Sequence, residues 1–230
     1  MAAKLYTAIG RFKRRSDGCG RSCPVIILSG KEFMVDMQEM IIWTQLNWRL
    51  LKPEEIQPFY DKAVAKTGFS VKRSCEDCVN RLLVRGLIVS GSGETEYEAL
   101  YDLLNGLYII PATGTAGLRF LSFLKLTLWN HVSLSAAKKL FRRDHRTPGE
   151  EQVMALAKQA LLSTAEIIKC VEKDIRCLPT NESILTELYD DDDTTSDNIG
   201  SLVRSSVSTE PVMLAVANLY LRQQIIFERI

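Results

Sequence analysis

Histidine is nearly absent from this chain, which has only His131 and His145 in 230 residues. Neither sits at metal-ligand spacing from the other or from a nearby thiol or carboxylate, so catalytic or metal chemistry built on imidazole has little to work with. No GxxxxGK[ST] segment occurs, so hydrolysis of a nucleotide on a P-loop has no support. Long apolar runs are missing as well. The longest greasy stretch, 118–129, is broken by Arg119 and Lys125 and falls far short of the ~20 residues that span a bilayer. Residues 1–15, MAAKLYTAIGRFKRR, hold no apolar segment of signal-peptide length, so a cytoplasmic protein is expected. A charge excess is also lacking, since 29 basic residues face 28 acidic ones.

That balance hides an asymmetry. Residues 1–85 carry 15 basic and 9 acidic side chains, while 86–230 carry 14 and 19. A basic module joined to an acidic one is a statement about partners rather than about fold. With 46% apolar and 25% charged residues the chain has the composition of a globular protein with a sizeable core.

Residues 1–23 hold Lys4, Arg11, Lys13, Arg14, Arg15 and Arg21 against the single acid Asp17, and read as a flexible basic arm. Pro24 to Leu28, a β-branched run ended by Ser29-Gly30, reads as a buried strand. Apolar residues from Met37 to Leu50 recur at three and four, as on one face of a helix. Pro53 opens a second helix that Gly68 closes. A third, Lys72 to Arg85, places Cys75, Cys78 and Leu82 on one side and Lys72, Arg73, Asp77, Asn80 and Arg81 toward the other. Leu87 to Ser90 follows as a strand, Gly91-Ser92-Gly93 as a turn, 94–105 as a helix and Leu107 to Pro111 as a returning strand. The remainder, 112–230, reads as helices over 118–128, 135–143, 150–176 and 210–230. An acidic loop covers 187–197. The last helix is greasy around much of its circumference and predicts burial in the core or in a subunit interface.

This order of elements, and above all Val79-Asn80-Arg81-Leu82-Leu83-Val84-Arg85-Gly86-Leu87-Ile88-Val89, resembles the winged helix-turn-helix superfamily of DNA-binding regulators over residues 24–111. It departs from the common form by carrying a helix where a wing loop is usual. The resemblance implies a mainly α fold with a small β-sheet, a winged domain at 24–111 and an all-α dimerisation or effector domain at 112–230. It further implies a third helix in the major groove of duplex DNA. Lys72, Arg73, Ser74, Asp77, Asn80, Arg81 and Arg85 are then the candidate DNA contacts, with Arg14 and Arg15 of the arm neutralising phosphates. A homodimer through the C-terminal helices and a small-molecule effector are the expected partners, with no cofactor, no membrane and no enzymatic activity. The alternative is a winged module for protein interaction, replication or mobile elements that does not read sequence. Acids on the third helix, Glu76 and Asp77, favour that alternative because they repel phosphates.

Three further groupings have plain readings. Cys19, Cys23, Cys75 and Cys78 have thiols at zinc-like local spacing, but 51 residues separate the pairs, so packing thiols are expected; Cys170 and Cys177 complete the six. Glu94 and Glu96 occupy the helix start after the Gly-Ser-Gly segment, leaving no anion cradle. Lys138 to Arg143, with His145 and Arg146, forms a second basic cluster that reads either as a solvated helix end or as a contact to flanking phosphates.

Overall fold

A computed structural model describes residues 2–16, 22–69, 71–112, 145–178, 180–190 and 193–229. The expected helices at 118–128 and 135–143, His131 and the basic run 138–143 lie outside the described residues, as does Cys19.

The described chain is mainly helical with small antiparallel sheets. Strand β1 (Ala3–Ala8) pairs antiparallel with β5 (Ile88–Gly93), from Ala3 opposite Gly93 to Ala8 opposite Ile88. Strands β2 (Arg11–Ser16), β3 (Ser22–Leu28) and β4 (Lys31–Met34) form a meander. Of the expected arm, residues 3–8 and 11–16 therefore lie in strands. In β1 the cationic density of the segment hides Leu5, Tyr6, Ala8 and Ile9, of which the last three are buried. In β2 every residue is exposed, so pairing with the β-branched β3 holds it in place rather than burial.

Helix α1 (Met37–Leu46) starts on a capping box in which Asp36 accepts from the N–H groups of Gln38 and Glu39 while Glu39 reaches back to the N–H of Asp36. It ends four residues before Leu50. Helix α2 (Pro53–Thr67) begins at Pro53 and stops at Gly68 with φ +62°, as the sequence predicts. Helix α3 (Cys75–Val84) is capped by Ser74, whose hydroxyl accepts from the N–H of Asp77 at 3.0 Å.

Beyond α3 the chain departs from expectation. Gly91-Ser92-Gly93 is the end of β5 and not a turn. A Cβ on Gly91 would stand 2.3 Å from the backbone of both Ala99 and Leu103 in α4 (Glu96–Leu104), so glycine here permits a strand and a helix to touch backbone to backbone. Strand β6 (Tyr108–Pro111) does not return alongside β5. It lies between β7 (Leu162–Ser163) and β8 (Ile225–Glu228), joining the middle of the chain to its last strand. The expected helix over 150–176 is two: α5 (Pro148–Gln159) and α6 (Thr164–Glu172), broken at β7 because Ser163 and Glu166 form a new capping box. Helix α7 (Asn181–Leu188) takes up the start of the expected acidic loop and α8 (Ile199–Leu202) follows it, with Leu188 buried and the Tyr189 hydroxyl donating to Glu166 at 2.7 Å. Helix α9 (Thr209–Leu221) ends before a tight turn, and the following Ile-Ile-Phe run is β8 rather than helix.

The division at residue 112 is not followed by the core. One cluster of buried side chains runs from Tyr6 through Trp43, Leu82 and Ile109 to Phe227. At its centre the Tyr220 hydroxyl accepts from the N–H of Trp48 at 2.9 Å and from Thr7 at 2.8 Å, and donates to the carbonyl of Ala8 at 3.1 Å. The Gly10 N–H donates to Phe227 at 2.9 Å. Helix α9 therefore spends most of its apolar circumference inside the chain, with Leu214 and Leu221 exposed. Val212, Met213, Val216, Leu219 and Tyr220 are buried among neighbours, which removes the ground for placing a subunit interface there.

Candidate nucleic-acid interface

The residues expected to read DNA fall into two groups. Lys72, Asp77 and Asn80 are exposed, and Ser74 is spent on the α3 cap. The three arginines turn elsewhere. Glu39 of α1 is 1% exposed, and its Oε1 accepts from Arg81 Nε at 2.6 Å while its Oε2 accepts from an Arg85 guanidinium nitrogen at 3.0 Å. Arg73 hydrogen-bonds Asp36 and lies 3.9 Å from Glu39, and Arg85 also donates to the carbonyl of Met34. A buried carboxylate thus gathers three guanidinium groups, compensating its desolvation by pairing. Arg81 stays 54% exposed, whereas Arg73 and Arg85 are 35% and 27% exposed. Beside Arg81, the outer surface of α3 presents Glu76, Asp77, Asn80 and Val84, the last 89% exposed.

The turn between α2 and α3 is fixed by the same element. Gln38 accepts from the Arg73 N–H at 2.8 Å and donates to the Val71 carbonyl at 2.9 Å, and the Tyr60 hydroxyl lies 2.9 Å from both Gln38 Oε1 and the Arg73 carbonyl. Burial holds Asp36 up, but the Glu39 N–H and the Arg73 guanidinium outweigh it and keep its carboxyl below the ordinary range. Cys75 and Cys78 pack beneath α3, Cys78 being 3.6 Å from the Tyr60 hydroxyl. Burial pushes the Cys75 thiol up to about 11 and raises Cys78 as well. Among the described residues no three His, Cys, Asp or Glu side chains are grouped to hold a metal ion, and no helix is long and apolar enough to cross a membrane.

Arg14 and Arg15 lie on β2. Lys13 and Arg15 project from one face and share Glu32 of β4, each at 3.1 Å. Arg11 and Arg14 have no partner among the described residues. Sequence reasoning selected Arg14 and Arg15 but missed Arg11 and Lys13 as members of the same strand. The alternation Arg-Phe-Lys-Arg-Arg-Ser facing Cys-Pro-Val-Ile-Ile was the available signal.

Two open depressions flank these elements. One of about 250 Å³ lies beside Asp36, Phe69, Val71 and Arg73; another of about 390 Å³ lies between β5 and α4, lined by Ser90, Asp102, Asn105 and Arg229. Set against family models, curated proteins and solved structures, the chain matches none of them.

Proposed function

We propose that this chain is a non-catalytic binding module whose α1–α2–α3 unit is a helix-turn-helix of winged-helix type, and that α3 does not read bases. One observation carries the reading. The cations that would enter a groove, Arg73, Arg81 and Arg85, are drawn onto Glu39 and Asp36, and acids stand on the surface they leave. A groove-facing helix needs the opposite, free guanidinium groups on an acid-poor face. The pairing of β6 with β8 supports the same reading, because β5 then has no returning strand to form a wing.

Selection from a random duplex pool tests it. The full chain is expected to enrich no sequence, and alanine at Lys72, Asn80 and Arg81 together is expected to leave duplex affinity unchanged. The second reading is a sequence-specific, effector-responsive transcriptional regulator acting as a homodimer. It is favoured by the exposure of Lys72, Asn80 and Arg81. Enrichment of a palindromic site whose preference relaxes at one position in Arg81→Ala would establish that reading and overturn ours.

A further inference from the structure

We infer that strand β2 is a docking surface for the phosphate backbone of duplex DNA, bound without regard to sequence. The inference rests on the reading of the chain as a binding module and places its contact on a different element from α3. Arg11, Lys13, Arg14 and Arg15 occupy four of the six positions of β2, and all six residues are exposed. The strand is the outer member of its sheet, so its far edge pairs with nothing among the described residues. Among the described residues Glu32 is the one acid touching these cations, and it can neutralise only one of Lys13 and Arg15.

The spacing suits a phosphate backbone. Arg11, Lys13 and Arg15 recur on one face every two residues, about 7 Å. That is close to the axial rise of two nucleotides of one DNA strand, at about 3.4 Å each. Arg14 projects from the opposite face, so cations point to both sides of the strand, as a groove with phosphates on both walls requires. An acidic peptide added to the sheet edge would draw its specificity from pockets for alternate side chains. The residues of β2 supply none themselves, every one being exposed and Phe12 itself 44% exposed. A membrane surface would meet only one face.

Fluorescence anisotropy of the full chain with a random-sequence duplex, titrated from about 50 to 200 mM salt, tests the inference. The wild-type chain is expected to bind at low salt. Arg11→Gln with Arg14→Gln, both at exposed positions, is expected to lower affinity more than about tenfold near 0.1 M salt and to flatten the log-log salt slope by about two, with the melting temperature unchanged. Glu32→Gln releases Lys13 and Arg15 and is expected to tighten binding several-fold. Absence of low-salt binding, indifference of affinity to Arg11→Gln with Arg14→Gln, or no gain in Glu32→Gln would each overturn the inference. Displacement of the duplex by poly-glutamate at equal charge would overturn it in favour of an acidic protein partner. None of these results bears on base reading by α3, which fails or stands on the sequence selection alone.

Discussion

At Asp36 a single carboxylate caps α1 and holds Arg73 against the turn before α3. Its pKa is lowered in the folded state, so the stability it supplies is full above its ordinary value of 3.8 and is lost as pH falls through the folded value. Unfolding of Asp36→Asn and wild type across an acid series should therefore show a gap at neutral pH that closes toward the acid end. A gap that widens on acidification would contradict this linkage. Thiols follow the same logic of burial. Cys75 is pushed up to about 11 and Cys170 up to about 12, both by desolvation, while Cys177 is exposed. A thiol reagent at pH 8 should label Cys177 in the native chain and reach Cys75, Cys78 and Cys170 only after denaturation, as peptide mapping would show.

Among the elements, legibility followed local chemistry. Helix α2 was readable at both ends because Pro53 and Gly68 act on their own backbone, and α3 because its apolar side recurs at three and four. The break between α5 and α6 was legible too, in Ser163-Thr164-Ala165-Glu166, but apolar residues on either side masked the cap. Partners distant in sequence leave no such local mark. Nothing near Leu107–Pro111 says that it pairs with residues 225–228, and nothing near Arg81 says that a buried glutamate 42 positions earlier claims it. The sequence pattern therefore names the basic residues around α3 without saying where their guanidinium groups turn. Gly91 is the sharpest local case, read as a turn where it is a contact. Gly91→Ala should destabilise the fold by about 1 to 3 kcal/mol or more, since the new methyl meets backbone that cannot rotate away, and urea unfolding would measure it. A cost below about 0.5 kcal/mol would mean that β5 and α4 separate easily.

Over the whole molecule, the chain is closed by its ends. Tyr220 bonds Thr7, Ala8 and Trp48, and β8 lies against β6 while Phe227 receives the N–H of Gly10. Tyr220→Phe keeps the ring and its stacking on Phe227 at 4.4 Å but strands the Trp48 N–H, which sits on a residue with φ +58°. A loss of about 1 to 3 kcal/mol is expected, with one cooperative transition retained. Fluorescence and circular dichroism melting apart in the variant would instead show two units held together by little else.

Thr7 and Tyr220 stand 213 residues apart in sequence and 2.8 Å apart in space, and that separation has a meaning in time. A ribosome adding about 5 to 20 residues per second makes β1 roughly 10 to 40 s before Tyr220 exists to bond it. Through that interval β1 can gather α1, α2 and α4 and pair with Leu51 and β5, but Thr7 and the Ala8 carbonyl lack Tyr220 and the core lacks everything from β6 onward. Nascent chains stalled at Gly106 should accordingly bind a holdase chaperone, and chains released after Glu228 should not.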